Sequence, residues 1–400
     1  MCGFAGLQRL DTEQAKCLDG GTMAESLAHR GPDAAGTWTC PDGTFELGFR
    51  RLAIRDLDPR ANQPMVSASG RTVLVFNGEI YNTEELVAHF CPDVVLRTTS
   101  DSEVLLEAFD RCGPDVLDEV NGMFAAVFYS IESGTAWLAR DAAGQKPLYL
   151  YEKNGYVAFA SELRAFAGLP LDPDPSRVPF FLHFGYIPAP DTFYRNVSQL
   201  RPGERGQLHG GRVVARHRFH DPLSWSWGSR PSVDPDEIQD LVDDSVVRRT
   251  VSDVPVGTFL SGGVDSSLVA ASLASAGRGD LPTFTVSFDD PRFNEGPQAA
   301  AVAAELGLPH HDIRVRLDQL PGLVDDYLDC YEQPYADTSG LPTMLLCREV
   351  RRHVRVALCG DGGDECFGGY ARYGWFRRAL SAGKWPVSYT HLTLPTSDLV

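Results

Sequence analysis

The second residue of the chain is a cysteine. A small residue at that position permits removal of the initiating methionine. The product would carry a thiol and a free α-amine on one residue. Such an amine titrates at about 7.7–8.0 and can serve as general base for the thiol beside it. Taken alone, Cys2 reads as easily as a small residue at a frayed terminus. Two glycine-rich segments further along also carry chemistry. Ser261-Gly262-Gly263-Val264-Asp265-Ser266-Ser267 follows the apolar run ending at Leu260 and precedes a helical pattern. Its glycines, hydroxyls and free helix N–H groups would form an anion cradle. It has no Walker A lysine. Asp265 suits bare phosphate only if a cation such as Mg2+ lies between them. The second segment is Cys359-Gly360-Asp361-Gly362-Gly363-Asp364-Glu365, placed after another apolar run. Its crowded carboxylates need metal or cationic groups nearby, and the twelve-residue calcium-loop pattern is absent.

Around Cys2, five segments occur in order: Met1 to Gly6, His29-Arg30-Gly31-Pro32-Asp33, Arg51-Leu52-Ala53-Ile54, Asn77-Gly78-Glu79-Ile80-Tyr81-Asn82 and Ser100-Asp101-Ser102-Glu103. Together they resemble the glutaminase domain of class II glutamine amidotransferases, which are N-terminal-nucleophile hydrolases. The resemblance covers about the first 200 residues. It implies that Cys2 attacks the carboxamide of glutamine. Asn77 and Gly78 would supply a side-chain amide and a backbone N–H, from one turn, to the oxyanion. Gly78 would let the backbone approach the ligand closely. Arg51 suits the α-carboxylate and Asp101 the α-ammonium. Leu52, Ile54 and Glu79 complete the expected glutamine site. The segment from His29 to Asp33 reads equally as a loop near that site or as a plain turn.

The segment at 259–267 resembles the pyrophosphate loop of ATP pyrophosphatases, which split ATP into AMP and PPi. The segment at 359–370 resembles a motif of asparagine synthetases, as do Phe293-Asn294-Glu295 and Glu332-Gln333-Pro334-Tyr335-Ala336-Asp337. The resemblance implies ATP contacts at Leu260, Ser261, Gly262, Gly263, Asp265, Ser266, Val286, Cys359 and Gly360. Asp361 occupies the position of an acidic residue linked to adenylate formation, and Asp265 and Asp364 would face Mg2+. The family often has serine where Cys359 stands. The order of the two halves is that of glutamine-hydrolysing asparagine synthetases. Glutamine, aspartate and ATP are then the expected substrates. Amidotransferases that make glucosamine phosphate or phosphoribosylamine lack the SGGxDS loop, and β-lactam synthetases lack a nucleophile at position 2. Amidation of a different carboxylate, or a chain retaining only glutaminase activity, stays open. Family synthetase domains continue past this length, Lys384 is the lysine left near the end, and 385–400 matches no familiar motif.

These groups must be positioned by two kinds of fold. Up to about residue 210, short apolar runs (Val73 to Phe76, stopped by Asn77-Gly78; Phe124 to Ile131; Tyr149 to Tyr151) read as strands, and Ser102 to Phe109 as a helix. The expectation is an α+β N-terminal-nucleophile hydrolase domain, 2–210, with stacked antiparallel sheets between helices. Residues 211–235 read as a linker. Asp234 and Pro235 open a helix. Strands at 256–260, 283–288 and 354–358 then alternate with helices at 266–276 and 298–306. That predicts an α/β parallel-sheet ATP pyrophosphatase domain, 236–384, followed by a tail at 385–400. His310-His311 reads as structural. The net charge, 36 basic against 54 acidic residues or −18, disfavours nucleic acid and anionic membrane as partners. No apolar run is long enough to span a bilayer. No signal peptide is visible, so a cytoplasmic location is expected. The nine scattered cysteines suggest reduced, mostly buried thiols. A homodimer is the expectation that family resemblance brings.

Overall fold

The computed structural model describes residues 1–382 apart from 14, 16, 17, 154, 222–233, 293 and 317–320. It divides into two compact units: Met1–Val256 with Arg316–Val356, and Gly257–Val315 with Ala357–Val400. These compact units do not divide at the expected domain boundary near residue 236. The helix at 235–248 and the segment 316–356 belong to the first unit.

In the first unit the strands are β1 (Gly3–Arg9), β2 (Ala34–Thr39), β3 (Phe45–Arg51), β4 (Met65–Val66), β5 (Thr72–Ile80), β6 (Gly122–Ser130), β7 (Thr135–Arg140), β8 (Tyr149–Lys153), β9 (Tyr156–Ala160), β10 (Val197–Gln199), β11 (Glu204–His209) and β12 (Arg212–Arg218). They form two antiparallel sheets, ordered β10-β8-β9-β1-β3-β2 and β12-β11-β7-β6-β5-β4. Helix α1 (Gly20–Glu25) packs on β1 and β3, while α2 (Thr83–Phe90) and α3 (Asp101–Cys112) pack on each other and α3 on β5. The layers are helix, sheet, sheet, helix, as the sequence predicted.

Side-chain alternation explains why β5 and β6 read as unbroken apolar runs. Val73 and Val75 of β5, with Ala125, Val127 and Tyr129 of β6, face the other sheet and meet Phe4, Phe45 and Phe49. Leu74 and Phe76, with Phe124, Ala126 and Phe128, face α3 and meet Leu105 and Phe109. Both faces of the sheet are buried, so both sets must be apolar.

Three expectations are corrected here. Asn77-Gly78 is not a turn. β5 runs through it to Ile80, paired with β6 over nine positions from Thr72↔Ser130 to Ile80↔Gly122. The ladder and the buried faces override the turn preference of Asn-Gly. The linker is also shorter than expected, because β12 pairs with β11 within it; residues 222–233 lie outside the described residues, as do Phe293, Lys384 and the expected tail at 385–400. The thiols are less buried than expected. Cys40 and Cys91 are buried, but Cys112, Cys330, Cys347, Cys359 and Cys366 are exposed, on helices, at a helix end or in a loop. Further helices of this unit are α4 (Val178–Phe184) and α5 (Pro235–Arg248), which Asp234 caps by accepting from the N–H of Asp236.

In the second unit, β13 (Val256–Phe259), α6 (Val264–Ser275), β14 (Thr283–Phe288), α7 (Gly296–Leu306) and β15 (His310–Val315) alternate as predicted, and β16 (Val356–Leu358) completes a sheet ordered β15-β14-β13-β16. β13 and β14 are parallel, as are β14 and β15. Small residues let the helices close on the sheet: Ala270 of α6 and Ala299 and Ala303 of α7 pack around Leu260 and Leu308. His310 and His311 lie in β15, and His310 Nδ1 is 2.8 Å from Thr283 Oγ1. No helix among the described residues is long and apolar enough to cross a membrane.

One buried carboxylate fixes the end of the β6–β7 pair. Asp141, fully buried, accepts from the backbone N–H groups of Phe124 (3.1 Å), Ala143 (3.1 Å), Gln145 (2.9 Å) and Lys146 (3.0 Å). Asp141→Ala would orphan these donors. It is expected to cost about 2–4 kcal/mol in urea denaturation followed by near-UV circular dichroism. A loss under about 0.5 kcal/mol would show that the turn does not depend on this group.

Candidate functional site

The alternation that fills the core of the first unit also builds a polar pocket at its end. Val73 and Val75 face the opposite sheet, so Asn77 and Glu79 share that face two and four residues on. There they meet Cys2 at the start of β1. A cavity is lined by Met1, Cys2, Arg51, Leu52, Ile54 and Arg55, by Asn77, Gly78 and Glu79, and by Ser100, Asp101 and Lys146, among others. Every residue expected in the glutamine site is therefore brought together: Cys2, Arg51, Leu52, Ile54, Asn77, Gly78, Glu79 and Asp101.

Two donors in this cavity lack protein partners. Asn77 is 1% exposed, and its Nδ2 is buried without a hydrogen-bond acceptor. The second donor follows from register. Phe124, opposite Gly78, gives both its N–H and its C=O to Asp141, on the far side of β6. Gly78 therefore sits at a non-hydrogen-bonded pair, with its N–H turned away from β6. Its neighbours of the same parity find side chains: Phe76 N–H donates to Gln63 Oε1 (2.6 Å) and Ile80 N–H to Asp101 Oδ2 (2.9 Å). The Gly78 N–H between them faces the cavity. Packing also requires a glycine at position 78. A β-carbon there would collide with the carbonyl of Met123 and with Phe124.

Cys2 Sγ lies 3.4 Å from the N–H of Leu52, which donates to it, and 3.6 Å from that residue's carbonyl. Burial pushes the thiol above its ordinary range. Arg30 Nε donates to the carbonyl of Cys2 (2.9 Å), and its NH1 pairs with Glu162 (2.6 Å). Arg51 lines the cavity and also has structural partners. Its guanidinium donates to the carbonyls of Asp58 (3.0 Å) and Asp56 and to Asn62 Oδ1 (2.7 Å), so it holds the loop 55–62 at the cavity wall. Asp101, at the first turn of α3, accepts from Ile80 and Ser102. Ser100 caps that helix, and the buried Glu103 accepts from Arg97 and Thr98. Burial raises Asp101, and Glu79 is pushed up to about 8 by burial and by the charge of Asp101.

The second unit gathers the other motifs. The sheet order leaves β13 with β14 on one side and β16 on the other, which is a topological switch point where ligands collect at strand C-termini. The loops after β13 and β16 sit there. Gly262 has φ +79°, and a β-carbon on it would press on Gln298. Ser261 Oγ and Ser266 Oγ are 2.9 Å apart, and Ser266 Oγ also accepts from the Ser261 N–H. No side chain caps α6, so its first N–H groups are open. Gly360 and Gly363 lie against Asp265, where side chains would not fit. Cys359 Sγ donates to Asp361 Oδ2 (3.2 Å). Asp364 opens the short α10, Gly363–Phe367, after α8 (Val324–Cys330) and α9 (Gly340–Val350) of the first unit. Glu365 is used structurally, accepting from Gly362 N–H and Tyr370 Oη. Val286 is half-buried in β14. Among the described residues, no three His, Cys, Asp or Glu side chains converge to hold a metal ion. A magnesium ion carried by phosphates needs only one or two protein carboxylates, so Asp265 and Asp364 fit that kind of site.

Residues 1–220 match a family described as glutamine amidotransferase domain, and 237–396 one described as asparagine synthase. A Methanocaldococcus jannaschii protein provisionally named asparagine synthetase [glutamine-hydrolyzing] 2 is 31% identical over 396 residues, covering 92% of this chain and 76% of that protein. The chain belongs to the glutamine-hydrolysing asparagine synthetase family. Asparagine synthetase [glutamine-hydrolyzing] 1 of Bacillus subtilis is 32% identical over 93% of this chain and 59% of its own length. A Mycobacterium tuberculosis protein, provisionally named asparagine synthetase [glutamine-hydrolyzing], is 34% identical over 87% and 56%. The chain thus spans little more than half the length of these two relatives.

Arg30 and Lys146 line or anchor this family's pocket here, yet sequence reading gave neither a role. Arg30 stood in a motif that read equally as a turn, and Lys146 stood in none. The pair Glu79 and Asp101 makes a checkable electrostatic statement. The unfolded chain ionises Glu79 near 4.5, and the folded chain only near 8. Its contribution to stability is therefore full below pH 4.5 and lost as pH rises towards 8. Glu79→Gln cannot ionise. Its stability relative to the parent is expected to rise between pH 5 and 8 and then level, in urea denaturation at pH 5, 7 and 9. A pH-independent difference would contradict this.

Proposed function

We propose that the chain carries out glutamine-dependent synthesis of asparagine. The observation that supports this best is the pairing of Cys2 with the unpartnered Asn77 Nδ2 and with the Gly78 N–H, which the register turns away from β6, in one pocket. Two such donors suit an oxyanion formed on a carboxamide, not a stable ground-state ligand.

Cys2 Sγ attacks the side-chain carbonyl carbon of glutamine. The oxyanion rests on Asn77 and Gly78, the C–N bond breaks, and ammonia leaves. Water then cleaves the thioester to glutamate. The raised thiol needs a base, and the α-amine freed by loss of Met1 is the nearest suitable one. The substrate ammonium would sit between Glu79 and Asp101, whose mutual repulsion it relieves. Its carboxylate would meet the cationic wall of Arg51 and Arg55.

In the second unit, ATP would lie at the switch point, with its phosphates over Ser261 to Ser266 and its adenine near Val286. Cys359 and Gly360 would border the nucleotide. Asp265 and Asp364 would hold Mg2+, which supplies charge neutralisation to the phosphates. An aspartate β-carboxylate oxygen attacks the α-phosphorus and PPi leaves, with Asp361 beside the reacting group. Ammonia attacks the resulting mixed anhydride and AMP leaves. A soluble, cytoplasmic homodimer is part of this reading.

Cys2→Ala is expected to abolish glutamate release. Asn77→Ala is expected to lower kcat/KM for glutamine by about 10²–10³ with Cys2 intact. Retained hydrolysis in the first variant would remove Cys2 as nucleophile. A second assay follows PPi with ATP and candidate carboxylates. Release that requires aspartate, and asparagine that requires glutamine or ammonia, is expected. PPi that depends on another carboxylate would overturn the acceptor.

A further inference from the structure

Lys146 is 6% exposed, and its Nζ lies in the pocket 3.1 Å from Met1 Sδ. The mechanism above leaves it without work. A buried ammonium whose partner is a neutral sulfur is costly, and that partner is the residue the proposed chemistry removes. Its backbone is fixed independently. The Lys146 N–H is bound by Asp141, and its carbonyl accepts from Arg140 Nε (2.9 Å). The turn therefore holds the side chain in the pocket whether or not Met1 is present.

The charges around the chain start are otherwise compensated. Arg30 is paired with Glu162, and Asp33 with Arg355 (2.6 Å) and the N–H of Ala53 (2.9 Å). On the pocket wall, Arg51 is spent on backbone carbonyls, and Arg55 on Ile80 O (3.2 Å) and Thr83 Oγ1 (3.3 Å). Burial and the charge of Asp101 oppose ionisation of Glu79, burial opposes that of Asp101, and burial pushes the Cys2 thiol up. Among the described residues no carboxylate lies within ion-pair distance of Lys146. When Met1 leaves, the new α-amine on Cys2 shares one pocket with this uncompensated cation.

We propose that Lys146 keeps the α-amine of Cys2 unprotonated, and so available as base, once Met1 has been excised. Two neighbouring amines in a buried pocket cannot both carry charge cheaply. Lys146 acts through the amine and not on the substrate. The direction agrees with the unprocessed chain, whose Met1 amine is pulled down to about 5 by burial, against the charge of Cys2, with Arg30 and Lys146 adding to the fall.

The inference rests on the glutaminase reading, and its test separates the two. The pKa of the Cys2 α-amine is read from the pH dependence of acylation by acetic anhydride, located by mass spectrometry, after loss of Met1 is verified in each protein. In the parent it is expected below the ordinary range of about 7.7–8.0. In Lys146→Met it is expected to rise by about one pH unit, and in Lys146→Arg to stay. The acidic limb of kcat/KM for glutamine should move with it, costing Lys146→Met roughly tenfold at pH 6 and little at pH 9. An amine that titrates alike in parent and Lys146→Met, with rates lowered equally at every pH, would overturn the inference and leave the glutaminase reading intact. A parent that hydrolyses no glutamine would sink that reading, while the acylation still decides the role of Lys146. Lys146→Gln replaces Lys146→Met if the latter fails to fold, with the same expected rise.

Discussion

The first unit depends on the parity of the ladder between β5 and β6. One shift of register would turn Asn77 and Glu79 out of the pocket and put Phe76 into it. The same parity decides which backbone N–H groups of β5 point away from β6. Phe76 and Ile80 find side-chain acceptors, and Gly78 between them is left open. The parity is held at its end by Asp141, which occupies Phe124 on the far side. A structural carboxylate with no place in the chemistry thereby determines where an oxyanion could be received. Gly78 belongs to the same constraint, since only a residue without a side chain lets β6 pass so close.

The layers and elements were legible in the sequence because burial on both faces writes an unmistakable apolar run. Val73 to Phe76 and Phe124 to Tyr129 are such runs, and the helix at α3 announced itself by period. What misled was local chemistry inside a long ladder. Asn-Gly favours a turn in isolation, but nine paired positions and two buried faces outweigh it. β12 was lost within a supposed linker for a related reason. Its exposed residues carry little periodic signal, and only pairing with β11 makes it a strand.

The site residues were legible by resemblance more than by periodicity. Cys2, Asn77, Gly78, Glu79 and Asp101 come together as motif order implied. Arg51 reached the pocket wall, and its guanidinium also holds the loop behind it, a second use that no spacing rule announces. Arg30 and Lys146 were harder. Arg30 reaches the carbonyl of Cys2 and Lys146 the sulfur of Met1, each from a turn far away in sequence, and a lone cation in a turn ordinarily reads as a solvated charge. In the second unit the motifs follow strands that flank the switch point, so topology and sequence agree.

The position of Met1 has a practical corollary. While any residue precedes Cys2, the nitrogen of Cys2 is an amide and can accept no proton. Met1 also occupies the wall of the pocket, against Lys146. On the proposed chemistry, an affinity tag fused ahead of Cys2 would therefore remove the base and leave the thiol in place. The parallel sheet of the second unit has no share in the bond ahead of Cys2. A tag placed elsewhere carries no such penalty. On that reading the first peptide bond of the chain is a chemical lock.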